Sequence, residues 1–580
     1  MDRRLVLGCV PFALLVIASC GSSSGSNPNP NNPGGGEDAS SSGGSGSSSG
    51  TGDDMTGADG SPTSSGGGGA DGSSSGSSGS GGSDASSSEG GTSAGADVDV
   101  PQMHKHINRD GLFVDKAFTE TALMGATLHL DSTFTGTFTG NMLASPVYVS
   151  DGVNHKGTFY IATESNNLYA LDEATGKSAI TTMNAGFPAQ STGCAPSNII
   201  PLGITGTPAI DPATRLIVFD AATAATMGGK LSKHTIHAWS IDDFSEKWSF
   251  DVSTLTDSVA GKFASATQNQ RSAVLIAGGI AYVAFGGHFG DCDPYNGWVV
   301  GIPLNATMAT VASMVKSYAT PAARAGMWAP GGPSSDGTSV FMATGNSEVN
   351  ADKTGTLADW KGAFSILRFG AGPVFTPGSA NFWHAVSDDS GSDLDLGGSA
   401  PLVVDAPGIT PSKLLVQLGK DGYAYTVDRT NMGGEMSPLG SLKAMNGEIS
   451  NAAAWAMTST GPFVAMVTNG GSGGANCKKG SGNLAVITVN ATGQISEPWC
   501  VSNQGNGSPS ITSSDGTSDL LVWTVGAESS NQLHAWDLAT GTQVVMGSDT
   551  MTGMHHFATP IFVNGRVFAG GDGHLYAFKP

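Results

Sequence analysis

The sequence predicts an all-β protein whose main domain is an eight-bladed β-propeller, and three observations lead to this prediction. One hairpin motif recurs eight times along the chain, at a spacing of roughly 60 residues. Each copy follows other β-rich runs, so that one repeat holds three or four antiparallel strands. Helical periodicity is almost absent. Repeats of this kind are typical of propeller blades, and a long β-sandwich or a solenoid is the alternative.

The two strongest copies of the hairpin motif align without gaps and share Leu-x-Ala-x-Asp-x-Ala-Thr-Gly. An alternating strand leads into a turn, where the Asp side chain can cap backbone N–H groups and the Gly can adopt a positive φ. A second strand then follows, as in a hairpin. The two copies are NNLYALDEATGKSAI from Asn166 and SNQLHAWDLATGTQVV from Ser530.

Six weaker copies of the motif's first strand complete the repeat: TIHAWSID, GWVVGIPL, GAFSILRF, GYAYTVDR, GNLAVITV and GHLYAFKP. The last of them ends at the C-terminus, so the last blade has only three strands of its own. We expect a fourth strand from residues ~112–140, where the sequence alternates suitably, so that both ends of the chain close the ring.

Residues 1–20 are typical of an export signal. Two arginines precede an apolar run from Leu5 to Ile17, which is too short to span a membrane comfortably. The sequence IASC, which ends at Cys20, resembles the lipobox of bacterial lipoproteins, whose cysteine is acylated; an ordinary cleaved signal is the alternative. Because Gly21 rather than an acidic residue follows, the resemblance favours the outer membrane. We therefore expect a lipoprotein anchored at Cys20, in the periplasm or at the cell surface.

Residues 21–100 form a linker rich in Gly and Ser, and residues 101–580 form the propeller. Up to about Asp97 the linker has no aromatic, Lys or Arg residue, so we expect a disordered tether. It holds ten acidic residues and no basic ones, which leaves residues 101–580 with 24 basic and 37 acidic residues, a net charge of −13. This charge argues against a nucleic-acid partner.

Four cysteines remain once one has left with the signal and Cys20 has been acylated. An even number in an exported chain suggests two disulfides, although four cysteines permit three pairings. We favour Cys194 with Cys292, and Cys477 with Cys500, because each pair would join neighbouring loops of the propeller. The chain has no CxxCH motif, so it does not encode covalent haem.

A more specific signal lies between about Gly203 and Gly434. This stretch contains, in order, GITGTPAID, QRSAVLIAGGIAYVAFGGHFGDCDPYNGWVVG, MWAPGGPSSDGTSVFMATGNSEV, SDLDLGGSAPLVVD and GKDGYAYTVDRTNMGG. In content and order these segments resemble blades of alcohol dehydrogenases that depend on pyrroloquinoline quinone (PQQ). They resemble still more closely a group of exported PQQ-like proteins, and the hairpin motif is similar to the repeat of quinoprotein propellers. The resemblance covers under half of the propeller.

Carried over residue by residue, the resemblance implies a role for four residues. Trp328 would be the aromatic floor on which the quinone stacks, and Asn346 would be a calcium ligand. Asp395 would be the catalytic base and a candidate metal contact. Lys420 matches the Lys or Arg beside the reactive quinone carbonyls.

Physical chemistry supports such a set independently of the resemblance. Ca²⁺ prefers six to eight oxygen ligands, and it would polarise the carbonyl that accepts hydride while a carboxylate removes the alcohol proton. A lysine would stabilise negative charge that develops on the quinone. Each residue also has a purely structural interpretation. Trp328 can pack between blades, Asn346 can form a turn, Asp395 can cap a loop, and Lys420 can be the tip of a hairpin.

The sequence also departs from the dehydrogenases. They have a glutamate metal ligand in the blade before the tryptophan, where this chain has GGHFGDCDPYNGW. Asp293 is a candidate replacement, as are Asp291 and His288. The disulfide between adjacent cysteines that covers the quinone in many of these enzymes is absent. Arg271 is a candidate for the arginine that binds the quinone carboxylates.

Two functions follow from these observations. The first is a PQQ- and calcium-dependent dehydrogenase of alcohols or sugars, which would need a separate electron acceptor. The second is a non-catalytic propeller that binds a protein, a peptide or a glycan at the cell envelope. A hydrolase or lyase on the same scaffold is a further alternative. His555 and His556 precede a strand and are interpreted as loop residues.

Overall fold

The computed structural model describes residues 98–194, 199–288, 292–347, 361–385, 394–468, 477 and 481–580. The expected export signal, Cys20 and all but the last residues of the linker lie outside this part of the chain, as does Asp291. None of the helices in the described part has the length and apolar character needed to cross a membrane.

The described chain is built almost entirely of short strands. Ahead of the first sheet come β1 (Leu112–Val114), α1 (Glu120–Leu123) and β2 (Ala126–Leu130). Sheet 1 holds β3 (Val147–Val149), β4 (Thr158–Ala162), β5 (Asn167–Asp172) and β6 (Met183–Asn184). Sheet 2 holds β7 (Ala209–Asp211), β8 (Leu216–Ala224), β9 (Leu231–Ser240) and β10 (Glu246–Asp251). A small pair, β11 (Thr256–Asp257) and β12 (Gly261–Lys262), follows.

Three further sheets occupy the middle of the chain. Sheet 3 holds β13 (Gln268–Asn269), β14 (Leu275–Ala277), β15 (Ile280–Gly287), β16 (Asn296–Pro303) and β17 (Lys316–Ala323). Sheet 4 holds β18 (Ser334–Ser335), β19 (Val340–Ala343), β20 (Ser365–Gly370), β21 (Val374–Phe375) and β22 (Phe382–His384). Sheet 5 holds β23 (Leu402–Asp405), β24 (Lys413–Leu418), β25 (Tyr423–Asp428) and β26 (Gly440–Lys443).

The last two sheets complete the fold. Sheet 6 holds β27 (Ala454–Thr458), β28 (Gly461–Val467), β29 (Leu484–Val489) and β30 (Ile495–Val501). Sheet 7 joins β1 and β2 to β31 (Ser510–Ser513), β32 (Leu521–Val525), β33 (Leu533–Asp537), β34 (Gln543–Ser548), β35 (Ile561–Val563), β36 (Arg566–Gly571) and β37 (His574–Lys579). The remaining helical turns are Val153–His155, Val252–Thr254, α2 (Val311–Met314), Ser379–Asn381 and Leu396–Gly398.

Most strands that follow one another in a sheet pair in an antiparallel manner, as the repeat predicts. Six sheets hold four or five strands, whereas sheet 7 holds nine and contains the last two repeats. The all-β interpretation is therefore confirmed, while the number of eight blades stays a prediction.

The two strong copies of the hairpin motif form the predicted turns. The Oδ1 atom of Asp172 accepts hydrogen bonds from the backbone N–H and the hydroxyl of Thr175, at 3.0 and 2.7 Å. Gly176 has a φ of 67°. Asp537 accepts from the N–H of Thr540 in the same way, at 2.7 Å. An Asp cap and a glycine at positive φ thus end both strands, as the motif requires.

The ring is closed by strands from both ends of the chain, which confirms that prediction. In β2, His129 and Leu130 pair in an antiparallel manner with Lys579 and Phe578 of β37. The other edge of β2 pairs in a parallel manner with β34. The fourth strand of the last repeat therefore comes from residues 126–130, inside the expected range.

Residues 98–111, here called the N-terminal segment, were not assigned a place by the sequence. In order, residues of this segment hydrogen-bond to the first strands of seven successive repeats. The pairs are Val100 with Tyr148, Pro101 with Ile210, Gln102 with Ile276, Ile107 with Ser335, Asn108 with Val403, Asp110 with Trp455, and Gly111 with Ile511. The first strands are therefore gathered around one short segment, as the innermost strands of a propeller are.

The two disulfides of the structure join Cys194 to Cys292 and Cys477 to Cys500. The first connects the chain ahead of sheet 2 to the β15–β16 turn, and the second connects the β28–β29 connection to β30. The first disulfide therefore links two loops, whereas the second links a loop to a strand.

Candidate functional site

The residues singled out by the sequence lie in the connections and turns of sheets 3 to 5. Trp328 lies between β17 and β18, and Asn346 follows β19. Asp395 precedes β23, and Lys420 lies in the turn between β24 and β25. The structure brings these four residues together through direct contacts.

Lys420 is both a hairpin tip and a buried partner of Asp395. Its Nζ atom lies 3.0 Å from Oδ2 of Asp395, and the two side chains are only 11% and 8% exposed. Its backbone N–H also donates to the carbonyl of Asp395, at 2.9 Å. Gly422 has a φ of 78°, and a Cβ there would lie 2.2 Å from the Met445 carbonyl oxygen. The turn therefore requires glycine, and its packing turns Lys420 toward the site.

The Asp395 carboxylate is held from two sides. Its Oδ2 atom faces Lys420, whereas its Oδ1 atom accepts a hydrogen bond of 2.6 Å from the backbone N–H of Asn346. A Cβ on Gly345 would lie 2.5 Å from the same Oδ1 atom, so only glycine permits this approach. The sequence Gly345-Asn346 therefore positions the carboxylate.

Two cations lie over the Trp328 ring. The Arg271 guanidinium carbon is 4.5 Å from the ring centroid, and Lys420 Nζ is 5.2 Å from it. The ring is half-buried, and glycines pack against it: a Cβ on Gly286 would lie 2.9 Å from Trp328 Cβ, and one on Gly398 would lie 3.2 Å from its Cη2. The distances of Arg271 and Lys420 from the ring centroid are both within the range of a cation–π interaction.

Arg271 brings an unsatisfied donor to this site. Its Nε atom is buried and has no hydrogen-bond partner in the described part of the chain. Nearby, burial above all, together with the electrostatic influence of neighbouring groups including Arg271, lowers the pKa of His288 to about 3. His288 is therefore neutral, and Arg271 and Lys420 supply the positive charge next to Trp328.

Asp293 makes a different contact from the one expected of a metal ligand. Both of its carboxylate oxygens accept hydrogen bonds from Arg324, at 2.9 and 2.6 Å, and its side chain is 54% exposed. Among the described residues no group of three or more His, Cys, Asp or Glu side chains is arranged to hold a metal ion. The metal role of Asp293 stays a prediction.

A second cluster of charged residues, here called the histidine–carboxylate cluster, was missed by sequence reasoning. It consists of Glu164, Glu528, His555, His556 and Asp572. His555 Nε2 lies 2.7 Å from Asp572 Oδ1, and His556 Nδ1 lies 3.1 Å from Glu528 Oε2. Burial raises the pKa of Glu164 to about 7. Although burial opposes it, the hydrogen bond to Asp572 raises the pKa of His555.

The sequence did offer one signal for this cluster, namely the position of Glu164 relative to the strands around it. Glu164 comes two residues after Ala162, which pairs with Leu168, and Lys420 comes two residues after Leu418, which pairs with Ala424. Glu164 and Lys420 therefore occupy the same position in two equivalent turns, each just ahead of a copy of the hairpin motif. An alignment that included these turns would have placed Glu164 opposite Lys420.

Comparison with solved structures shows the fold. A structure of the quinohemoprotein alcohol dehydrogenase ADHIIG from Pseudomonas putida HK5 matches with a TM-score of 0.52 and 14% identity, over 83% of this chain and 80% of that one. A europium-containing methanol dehydrogenase matches with a TM-score of 0.54 and 13% identity, over 83% of this chain and 98% of that one. BamB from Moraxella catarrhalis matches over 79% of this chain and 97% of that one at 15% identity, but its TM-score of 0.41 is too low to argue from.

Sequence comparisons add nothing to these likenesses: no family model matches the chain, and no curated protein matches it significantly. At 13–14% identity a structural likeness shows the fold and not the activity. The described chain has an all-β, propeller-type fold similar to that of the quinohemoprotein alcohol dehydrogenase and of the methanol dehydrogenase.

Proposed function

We propose that this protein is a dehydrogenase that holds PQQ against Trp328 and oxidises an alcohol or a sugar. One observation carries the proposal: an aromatic ring, two cations and a buried carboxylate, expected separately from the sequence, meet at one place. Arg271 and Lys420 lie over the Trp328 ring, and Lys420 contacts Asp395. A purely structural role for each residue would not require this convergence.

The side chains present fit a planar quinone that carries carboxylates. The Trp328 ring offers a stacking surface, and aromatic rings stack favourably on one another. Among the described residues the buried Nε–H of Arg271 has no acceptor, and an anionic oxygen would supply one. Charge-assisted hydrogen bonds from an arginine to a carboxylate are among the stronger ones in proteins.

Calcium fits less well. Asn346 and Asp395 are adjacent, but Asp293 is paired with Arg324, and Ca²⁺ prefers six to eight oxygens. Both oxygens of Asp395 also have partners already. The calcium role of these residues stays a prediction, and the roles proposed below for Asp395 and Lys420 do not depend on a metal.

Bound PQQ would supply the group that accepts a hydride from the substrate carbon. Asp395 would accept the proton of the substrate hydroxyl, as a general base does. The Asn346 N–H and the Lys420 ammonium would fix the orientation of its carboxylate. Lys420 would also stabilise negative charge on acceptor oxygens above Trp328. A separate electron acceptor would then be needed.

A fluorescence titration tests the proposal. We expect PQQ added to the purified protein, with and without Ca²⁺, to quench tryptophan fluorescence, and dye-linked oxidation to follow with an alcohol or sugar. Arg271→Ala should weaken the quenching, whereas Arg368→Ala, an arginine bound to Asn381 between β20 and β22, is the matched control. Absence of quenching by micromolar PQQ in the parent protein would sink the proposal.

The second candidate is a non-catalytic propeller that binds a protein, a peptide or a glycan at the cell envelope. The pairing of Asp293 with Arg324 favours it, because this contact leaves the expected metal ligands incomplete. Protein that folds but neither binds PQQ nor oxidises any substrate would support this candidate.

Export and anchoring at the outer membrane through Cys20 belong to the same proposal. They rest on the signal-like residues 1–20 and on the resemblance of IASC to a lipobox. Incorporation of labelled palmitate by the parent protein, and its loss in Cys20→Ser, is the expected result.

A further inference from the structure

Arg109 is a fully buried arginine in the N-terminal segment, and its surroundings are unusual for a charged side chain. It is 0% exposed, and burial lowers its pKa to about 9. Its φ is 61°, in the left-handed region that favours Gly, Asn or Asp. On backbone grounds an arginine is a poor choice here, so the side chain must contribute something that outweighs the strain.

The guanidinium of Arg109 donates to three backbone carbonyls in three different segments. Nε donates to Pro333 at 2.9 Å, Nη2 donates to Val274 at 3.1 Å, and Nη1 donates to Met103 at 2.6 Å. Its planar group thereby holds three chain segments at fixed positions. A lysine could not reproduce this fork.

Two of these three segments carry the candidate site. Pro333 lies five residues after Trp328, and Val274 lies three residues after Arg271. The same two loops also contact each other directly, because the N–H of Ala273 donates to the Pro330 carbonyl at 3.1 Å. Arg109 therefore ties together the loop that carries the ring and the loop that carries the cation above it.

The close approach of these loops leaves no room for adjustment. A Cβ on Gly332 would lie 2.1 Å from the Ala273 carbonyl oxygen. Below the loops, Met103 of the N-terminal segment packs with Ala273 and Ala452 in a small apolar cluster. Loss of the Arg109 fork would leave two buried carbonyls unpaired where the loops meet, and such groups are costly to bury.

We infer that Arg109 is a positioning residue that sets the distance between Arg271 and Trp328, and that the N-terminal segment is thereby part of the ligand site. The effect on PQQ affinity rests on the proposed function, whereas the effect on the two loops does not.

Hydrogen–deuterium exchange tests the loop effect without any ligand. In Arg109→Met we expect amides of residues 271–274 and 329–332 to exchange roughly tenfold faster, while those of β32 and β33 keep their protection. The matched control is Arg429→Met, which removes another buried arginine, 3% exposed and paired with Asp336 and Asp405. Unchanged exchange in both loops, or an equal rise in all sheets, would overturn the inference.

PQQ titration tests the effect on the site. We expect Arg109→Met and Arg109→Gly to weaken binding roughly tenfold, which corresponds to about 1.4 kcal/mol, and Arg429→Met to leave it unchanged. Glycine relieves the backbone strain at this position, so equal losses in both variants exclude strain as the cause.

The exchange experiment and the PQQ titration together distinguish failure of the proposed function from failure of the inference about Arg109. If the parent protein does not bind PQQ, the proposed function fails and the exchange arm alone decides the role of Arg109. If it binds PQQ but the Arg109 variants bind equally well, the inference fails. If Arg109→Met does not fold, both experiments use Arg109→Lys instead, because lysine keeps the charge but cannot make the three hydrogen bonds.

Discussion

Lys420 and Glu164 occupy the same position in the turn that precedes the hairpin motif in sheets 5 and 1, yet they carry opposite charges. Both follow the last paired residue of the second strand by two positions; Glu164 is buried, and the Lys420 side chain is only 11% exposed. In a propeller the equivalent turns lie at the same end of the ring. Lys420 and Glu164 therefore lie in two parts of the same end of the propeller.

Their neighbours differ in kind. Lys420 lies against the Asp395 carboxylate and over the Trp328 ring. Glu164 accepts one hydrogen bond, from the N–H of Gly203 at 2.7 Å, and its other oxygen has no partner among the described residues. Only the first position combines a charge with an aromatic surface.

The repeated strands on either side of this turn therefore fix where its residue lies but not what that residue does. Around Lys420, the aromatic ring and a second cation, Arg271, suit an anionic planar ligand. Around Glu164, the carboxylates are largely matched by histidines. We therefore expect substitutions near Lys420 to change ligand binding and activity, and substitutions near Glu164 to change stability and its pH dependence.

The largest effect is expected from Asp395→Asn. The amide keeps the shape of the side chain but cannot accept the substrate proton, so kcat should fall about a thousandfold, within the range for loss of a general base. Dye-linked oxidation measures kcat. The control is Asp572→Asn in the histidine–carboxylate cluster. Equal losses in both variants would erase the difference between the two regions.

Lys420→Ala should come next. It leaves the 8% exposed Asp395 carboxylate without its cation, and breaking a buried pair typically destabilises a protein by about 3 kcal/mol. Urea unfolding measures this loss, and PQQ titration should show weaker binding. Lys443→Ala is the control, because Lys443 is exposed and lies 5.5 Å from the Tyr423 ring centroid. Stability equal to that of the control would show that the ion pair is not what holds Asp395.

Much of the fold could be predicted because its determinants are local. Alternation, an Asp cap and a glycine at positive φ lie within one hairpin, as at Asp172 and Gly176. The closing strand β2 was also predictable, since the last repeat lacked a partner. The N-terminal segment was not, because successive residues of it hydrogen-bond to different sheets, which leaves no periodic pattern.

The site was predictable in its members but not in its connections. The resemblance selected Trp328, Asp395 and Lys420, and the structure brings them into contact. It gave no sign of Arg109, whose three acceptors are backbone carbonyls and leave no trace in side-chain motifs. The pairing of Asp293 with Arg324 was equally hidden, since these residues lie 31 positions apart.

Glu164→Gln should change the pH dependence of stability. The pKa of Glu164 rises from 4.5 to about 7 in the folded protein, so the folded state binds the proton more tightly. The stability that Glu164 contributes is then highest below pH 4.5 and falls as pH rises toward 7, by at most about 3 kcal/mol. Glutamine removes this fall. Urea unfolding at pH 5 and pH 8 should show stabilisation of the variant at pH 8 alone, and exposed Glu435→Gln should show none.

The smallest effect is expected from Trp328→Phe. Phenylalanine retains a stacking face below Arg271 and Lys420, but its weaker attraction for cations and its smaller area should lower PQQ affinity only a few-fold, about 1 kcal/mol. The control is Trp383→Phe, a buried tryptophan that packs on Tyr425 and donates to the Met436 carbonyl, where stability rather than affinity should fall. If Trp328→Phe lowered stability and left affinity unchanged, Trp328 would be a packing residue like Trp383, and the region around Lys420 would differ from that around Glu164 in charge alone.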